Sequence, residues 1–178
     1  FGIELCEDVW APEPPSTRLC LSGADIIFNL SASDELIGKH NYLCSLLSQQ
    51  SARTMSGYVY SSSGFGESTQ DLVYGGNALI YENGNEVASS ERFSFESQMV
   101  VAQIDYEMLR AERRNNTTFI NVQRPTSLSH TLPQVRFINC HSTQIRDFVL
   151  ERYVNPTPFI PASADMKESC EEIFNIQV

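Results

Sequence analysis

Phe1-Gly2-Ile3-Glu4-Leu5-Cys6-Glu7-Asp8-Val9-Trp10 is the stretch that decides the fold, because it has the pattern of a strand that stops at a cysteine flanked by acids. Apolar side chains alternate at Phe1, Ile3 and Leu5, which predicts a short strand with these three side chains buried. Prolines at positions 12, 14 and 15 then predict a loop. Side chains at strand ends commonly face a cleft, so Cys6 is the candidate nucleophile.

The local charge around Cys6 does not favour a reactive thiolate. Glu4, Glu7 and Asp8 surround it with negative charge, which opposes loss of the thiol proton. Catalysis by Cys6 therefore requires a base and a cation that are supplied from elsewhere in the fold. The alternative is a buried structural cysteine at a strand end, because free cysteine is among the most buried residue types.

Composition limits the class of protein. The chain has 178 residues, 42% hydrophobic and 19% charged, which suits one globular domain with a core. The net charge of -10 argues against nucleic acid and anionic membranes as partners. No apolar run approaches the roughly 18 to 20 residues that cross a bilayer, and the missing initiator Met and signal sequence predict an internal piece of a longer protein. Five cysteines without C-x-x-C spacing predict reduced thiols in a cytoplasmic protein, with neither a disulfide framework nor a metal site.

The first half of the chain predicts alternating strands and helices. A short helix at 16–23, with Ser16 as its N-cap, precedes a β-branched strand at 24–30. A strand, helix and strand in succession imply a parallel pair, so the polar loop at 31–34 should open onto the same edge as Cys6.

The middle of the chain continues this alternation. Residues 38–56 predict a helix that ends near Gly57, with one face formed by Leu43, Leu46, Leu47, Gln50 and Thr54. A strand at 58–61 leads into a glycine-rich loop at 62–71 that lacks the third glycine of a dinucleotide site. Asn83-Gly84 predicts a hairpin turn within 79–88.

The remaining segments are patterned more weakly. Residues 99–105 predict a strand, and residues 106–114 a helix capped by Asp105, with Arg113 and Arg114 at its solvated end. Residues 119–122 predict a late strand, residues 156–161 an extended connector, and residues 165–178 a further helix. The histidines at 40, 130 and 141 have no partner at an informative spacing, which predicts exposed or core-satisfied side chains.

Several short motifs follow one another in an order that resembles a known family. They are Cys6-Glu7-Asp8, Pro14-Pro15-Ser16, Asn29-Leu30-Ser31-Ala32-Ser33, Gly38-Lys39, Gln50-Ser51-Ala52-Arg53 and Gly66-Glu67-Ser68-Thr69-x-Asp71. Over roughly residues 1–93 this ordered set resembles the nitrilase-type (carbon-nitrogen hydrolase) glutaminase domain of glutamine-dependent NAD synthetases. Residues 158–161 and 170–177 resemble the connector towards that family's synthetase domain, and residues 94–155 match loosely.

The resemblance implies a fold and a set of site residues. The fold is α/β, a nitrilase-like α-β-β-α sandwich, with residues 1–130 as the C-terminal part of the domain and residues 131–178 as the connector. Cys6 is the nucleophile, and the family's glutamate base and lysine lie upstream, outside this chain. The substrate pocket is lined by Glu7, Trp10, Ser33 and Lys39, and the loop of Glu67 supports the site. Structural alternatives remain open for these residues: core packing for Trp10, a turn for Ser33, a solvated charge for Lys39 and loop N–H groups for Glu67.

The resemblance also implies a function. Glutamine amide hydrolysis through a cysteine thioester would supply ammonia to an ATP-dependent NAD synthetase. No cofactor is expected in this domain, and ATP and magnesium are expected in the synthetase domain. The expected partners are glutamine, that synthetase domain and other subunits of a homo-oligomer. Two alternatives remain: a stand-alone amidase or carbamoylase of the same superfamily, and a non-catalytic interaction module.

Overall fold

The computed structural model describes residues 1–124, 132–140, 147–160 and 166–178. They form two compact units, Phe1–Phe148 and Val149–Val178. The larger unit contains the sheet, and the smaller contains one helix. The domain boundary expected after residue 130 stays a prediction, because residues 125–131 lie outside the described residues.

One five-stranded sheet organises the larger unit, and its strands lie in chain order. The strands are β1 (Gly2–Leu5), β2 (Ile26–Ser31), β3 (Gly57–Ser62), β4 (Ala78–Glu82) and β5 (Asn85–Ser89). The first three strands are parallel, and β4 and β5 are antiparallel to their neighbours. The predicted parallel pair and the predicted hairpin are therefore confirmed, with Asn83 (φ 47°) and Gly84 (φ 90°) in the turn.

Helices connect the parallel strands and continue the chain beyond the sheet. They are α1 (Pro15–Leu21), α2 (Lys39–Thr54), α3 (Tyr106–Asn115), α4 (Thr117–Gln123) and, in the smaller unit, α5 (Met166–Gln177). The first helix begins at Pro15 rather than after a Ser16 cap, because proline fits the first helical position. Among the described segments, no helix is both long enough and apolar enough to cross a membrane.

The hydrophobic core lies between the sheet and the two helices α1 and α2. Its fully buried side chains include Ile27, Leu47, Tyr58 and Leu79. In β1, Gly2 and Glu4 are buried and face the core, whereas Ile3 and Leu5 are 54% and 59% exposed. The strand is confirmed, but the prediction that its apolar side chains are buried is wrong. The inward position at Gly2 has no room for a larger side chain, because a Cβ there would lie 2.9 Å from Leu19 Cδ1 of α1.

The other face of the sheet is also apolar. Ile3 pairs with Phe28 and Phe28 with Val59, so these side chains form a row across β1, β2 and β3. The helices α1 and α2 do not cover this row, because their core lies on the opposite face. The described part of the chain therefore supplies one helix layer and one sheet layer of the predicted four-layer sandwich.

Two predicted strands are wrong. Residues 99–105 form no strand; Ile104 instead approaches the sheet so closely that a Cβ at Gly57 would lie 2.9 Å from Ile104 Cδ1. Residues 119–122 belong to helix α4, because the Asn116 side chain accepts the Phe119 N–H at 2.9 Å and caps a helix there. The predicted α3 is confirmed, and Asp105 caps it by accepting the Met108 N–H at 2.9 Å.

The predicted solvated end of α3 is wrong for one of its two arginines. Arg113 is buried and donates to the Thr54 carbonyl at 2.9 Å and to the Ala24 carbonyl at 2.8 Å. Its guanidinium also lies 5.3 Å from the ring centre of Phe119. Arg114 is exposed as predicted. Arg113 therefore anchors α3 to the C-terminal end of α2 and to the loop that precedes β2.

The C-terminal predictions are confirmed in part. The predicted final helix is confirmed as α5. Residues 156–160 are exposed, but they are not extended throughout, because the Ile160 N–H donates to the Thr157 carbonyl at 3.1 Å and closes a turn. Residue 161 of the predicted connector lies outside the described residues.

Candidate functional site

Cys6 stands at the turn between β1 and a 3-10 helix formed by Cys6–Trp10. Its φ is +42°, a value that non-glycine residues rarely adopt and that concentrates at functional sites. The Leu5 N–H before it donates to Asp8 Oδ2 at 2.7 Å, which closes the turn. The half-buried thiol is thereby presented at the carboxyl end of a parallel strand.

Tyr60 extends to the carboxyl end of β2, close enough to Cys6 for the two groups to interact electrostatically. Its hydroxyl donates to Ser31 Oγ at 2.9 Å. Burial raises the pKa of Tyr60, and the nearby Cys6 adds to the rise, while hydrogen bonds with serines 31, 33 and 62 oppose it. The phenol therefore stays protonated at neutral pH and can donate a hydrogen bond at the rim.

A polar pocket opens beside Tyr60 at the carboxyl ends of the strands. It is lined by Ser33, Asp34, Glu35, Lys39, His40, Leu43, Tyr60 and Asn77. Two of the predicted site residues, Ser33 and Lys39, thus share one pocket. The Ser33 backbone N–H also donates to Ser62 Oγ at 3.4 Å, which joins the loop after β2 to β3.

Lys39 is held in place at the first turn of α2. Its Nζ donates to the Asp34 carbonyl and to Asp34 Oδ1, each at 2.8 Å, and lies 5.4 Å from the centre of the Trp10 ring. The hydrogen bond from Lys39, followed by its charge, lowers the pKa of Asp34. Trp10 itself packs on Tyr42 at 5.7 Å between ring centres. The structure therefore brings Trp10 and Lys39 together.

The far side of the pocket is a charged cluster that the sequence did not indicate. Glu35 accepts from Asn77 Nδ2 at 2.6 Å and pairs with Arg92 Nη2 at 2.7 Å. His40 is half-buried, and its Nε2 lies 3.5 Å from Cys44 Sγ, one helical turn away. His130 and His141 lie outside the described residues.

The structure places the other two predicted residues at more open positions. Glu7 is exposed in the 3-10 helix that follows β1. Glu67 is exposed in a short 3-10 turn, Phe65–Glu67, and lines a different cavity of about 320 Å³. The Phe65 and Phe95 rings meet edge to face at 4.7 Å beside that cavity. Neither glutamate lines the pocket of Ser33 and Lys39.

A chain of buried polar side chains, which the sequence pattern did not predict, lies beneath Cys6. Glu4 is 2% exposed and accepts the Ser16 N–H at 2.8 Å, together with a short hydrogen bond from the Tyr58 hydroxyl. Asn29 Nδ2 donates to Tyr58 Oη at 3.3 Å and to the Cys6 carbonyl at 3.5 Å. The available signal was a polar residue at an inward position of two otherwise apolar strands.

The chain is similar to known proteins both in sequence and in structure. No family model matches it. It is 38% identical over 178 residues to the glutamine-dependent NAD(+) synthetase of Mycobacterium tuberculosis, an alignment that covers 99% of this chain and 26% of that protein. The chain thus spans about a quarter of the length of the mycobacterial relatives that it matches.

Solved structures show the same fold at low sequence identity. A carbon-nitrogen hydrolase from Helicobacter pylori superposes with a TM-score of 0.55 and 18% identity, over 67% of this chain and 44% of that one. Nit3 of Saccharomyces cerevisiae, a member of the nitrilase superfamily, gives a TM-score of 0.53 and 17% identity, over 65% and 41%. The α/β fold is therefore of the nitrilase type, as predicted.

Proposed function

Because the chain is homologous over nearly its whole length to a quarter-length part of the glutamine-dependent NAD(+) synthetases, we propose that it is the glutamine-hydrolysing part of such an enzyme. It would release ammonia from the glutamine side chain and supply it to an ATP-dependent synthetase domain that converts deamido-NAD to NAD. The observation that carries the proposal is Cys6, a half-buried thiol at positive φ at the carboxyl end of a parallel strand.

The proposed chemistry is acyl transfer through a thioester. Cys6 Sγ attacks the carboxamide carbon of glutamine, and the carbonyl oxygen becomes an oxyanion that accepts the Glu7 backbone N–H. The C–N bond breaks, and ammonia leaves with the proton that the base took from the thiol. Water then hydrolyses the thioester, which releases glutamate and restores the thiol. In this proposal the glutamate base and a second oxyanion donor, a lysine, come from the parent protein, so the chain by itself would be inactive.

We assign the amino-acid end of glutamine to Ser33 and Lys39, which share the small polar pocket beside Tyr60. The Lys39 ammonium group is proposed to bind the α-carboxylate, and its ion pair with Asp34 and its position against the Trp10 ring hold it in place. Ser33 supplies a hydroxyl from the adjacent loop, and Glu7 is retained as the acceptor for the α-amino group. Glu67 acts only through its loop in this proposal.

The rest of the assembly is assigned to the parent protein. We place ATP and magnesium in its synthetase domain and assign no residue of this chain to them. The synthetase domain and further subunits of a homo-oligomer are the proposed protein partners. Free cysteines at all five positions fit a reducing cytoplasm.

The test uses the full-length parent protein and its Cys6→Ala variant. Ammonia release from glutamine and NAD formation from glutamine should both disappear in the variant. NAD formation from added ammonium should persist, which shows that the variant is folded. Cys170→Ala, at an exposed cysteine of α5, is the matched control and should behave as wild type.

Three other outcomes would each contradict the proposal. Continued ammonia release by Cys6→Ala would show that Cys6 is not the nucleophile. A parent that hydrolyses glutamine but forms no NAD would be a stand-alone amidase. A parent that does neither would fit a non-catalytic interaction module.

A further inference from the structure

The buried chain beneath Cys6 has a direction that its donors and acceptors fix. Both oxygens of the Glu4 carboxylate are acceptors, one for the Ser16 N–H and one for the Tyr58 hydroxyl. The phenol proton is therefore donated to Glu4, so Tyr58 Oη can only accept a hydrogen bond from its other neighbour. That neighbour, Asn29, must turn its NH₂ group towards Tyr58.

The orientation of the Asn29 amide determines which of its atoms faces the Cys6 carbonyl. With one N–H on Tyr58 Oη, the same NH₂ group directs its second N–H at the Cys6 carbonyl oxygen, 3.5 Å away. Asn29 is fully buried, so water does not compete for this contact. Burial, followed by the charge of Glu4, raises the pKa of Tyr58, so the phenol keeps its proton at working pH.

The Cys6 carbonyl belongs to the same peptide group as the Glu7 N–H. Because a trans peptide is planar and rigid, its C=O and N–H point in opposite directions, and fixing one fixes the other. A φ of +42° is costly for a residue other than glycine and persists only where the surrounding structure holds it. The Asn29 contact to the Cys6 carbonyl therefore restrains the direction of the Glu7 N–H, in addition to the 3-10 helix that begins at Cys6.

We propose that Asn29, held by Tyr58 and Glu4, is a positioning residue that aims the Glu7 backbone N–H at the oxyanion formed during attack by Cys6. This inference rests on the proposed thioester chemistry and adds a role for three residues that contact no substrate. Loss of Asn29 should affect the oxyanion donor and not the thiol, because Asn29 contacts the peptide after Cys6 rather than Sγ.

The experiment distinguishes an effect on stabilisation of the oxyanion from an effect on the reactivity of the Cys6 thiol. In the full-length parent protein, Asn29→Ala and Tyr58→Phe are assayed for kcat and KM of ammonia release from glutamine. The rate of Cys6 alkylation by iodoacetamide is followed by mass spectrometry of the Cys6 peptide. Alkylation displaces iodide at a saturated carbon and forms no oxyanion, so a misaimed N–H does not slow it.

Asn29→Ala should lower kcat by about 10-fold to 100-fold, somewhat less than complete removal of an oxyanion donor. KM and the alkylation rate should each stay within about twofold of wild type. Tyr58→Phe, which keeps the packed ring, should change kcat in the same direction by a smaller factor. It also serves if Asn29→Ala fails to fold.

Thr54→Val is the matched structural control. It removes the hydroxyl that donates to the Gln50 carbonyl and contacts Ser56 at the opposite end of β3, so it should lower the melting temperature and leave kcat unchanged. Unchanged kcat in both test variants, or alkylation that falls as much as kcat, would overturn the inference. Ammonia release by Cys6→Ala would instead overturn the proposed function, and the two failures are distinguishable.

Discussion

Arg113→Met should loosen α3 without unfolding the sheet. The substitution keeps an apolar side chain of similar length but leaves the Thr54 and Ala24 carbonyls without their donor. Asp25 is not orphaned, because Arg110 Nη2 still pairs with it at 2.7 Å. With about 1 to 2 kcal/mol for each buried carbonyl left unsatisfied, the local free energy of opening should fall by about 3 kcal/mol.

Hydrogen exchange in the full-length parent protein measures this change. At about 1.4 kcal/mol per tenfold, amide exchange in the peptide that covers α3 should accelerate about 100-fold. Arg114→Met changes the neighbouring exposed arginine and should stay within about 0.5 kcal/mol, or roughly twofold. Equal acceleration in the two variants, or none in Arg113→Met, would refute the assignment of Arg113 as the anchor.

Three further predictions concern the pocket and the hairpin. In the full-length parent, Lys39→Met should raise KM for glutamine about 10-fold or more with a smaller effect on kcat, whereas Lys39→Arg should keep KM near wild type; a selective loss of kcat would contradict a binding role. The lowered pKa of Asp34 means that its bond to Lys39 stabilises the fold above the ordinary aspartate pKa and loses that effect as pH falls through the lowered value. Carboxyl NMR of Lys39→Met should accordingly show Asp34 titrating closer to about 3.9, and an unmoved titration would exclude Lys39 as the cause. Gly84→Ala should lower the melting temperature, because φ is 90° and the new Cβ would lie 2.9 Å from Ala52 Cβ, whereas Gly66→Ala, with nothing within 4 Å, should not.

Local signals predicted the fold where a few neighbouring residues decide the outcome. Asn83-Gly84 set the hairpin because its turn needs two residues with positive φ, and Asp105 set the start of α3 by capping it. The prediction of a strand at 119–122 was wrong because the β-propensity of single residues is only a weak influence on secondary structure. The Asn116 cap and the packing of Phe119 against Arg113 favoured a helix instead.

The core face of β1 could not be predicted from alternation alone. Ile3 and Leu5 are the apolar residues of that strand, yet Glu4 faces the core because Ser16 and Tyr58 satisfy its carboxylate. Those partners lie 12 and 54 residues away, so no local window contains them. The same limit hid Asn29 as a neighbour of Cys6, and it hid the burial of Arg113.

The pocket was predicted in part. The motif resemblance singled out Ser33, Lys39 and Trp10, and the structure brings Ser33 and Lys39 into one pocket with Trp10 against the lysine. Glu35 and Asn77 were missed because their contact spans 42 residues and joins two loops. No periodic pattern marks residues that meet only where strands end.

The apolar row of the sheet that α1 and α2 leave uncovered has a consequence for handling the isolated chain. Leu30 beside it is 56% exposed, and Ile3 and Phe28 also contact water, so molecules of the isolated chain attract one another through this surface. The net charge of -10 opposes that attraction by mutual repulsion. Salt screens the repulsion and leaves the attraction, so we expect the isolated chain to be most soluble in dilute buffer and to aggregate as ionic strength rises.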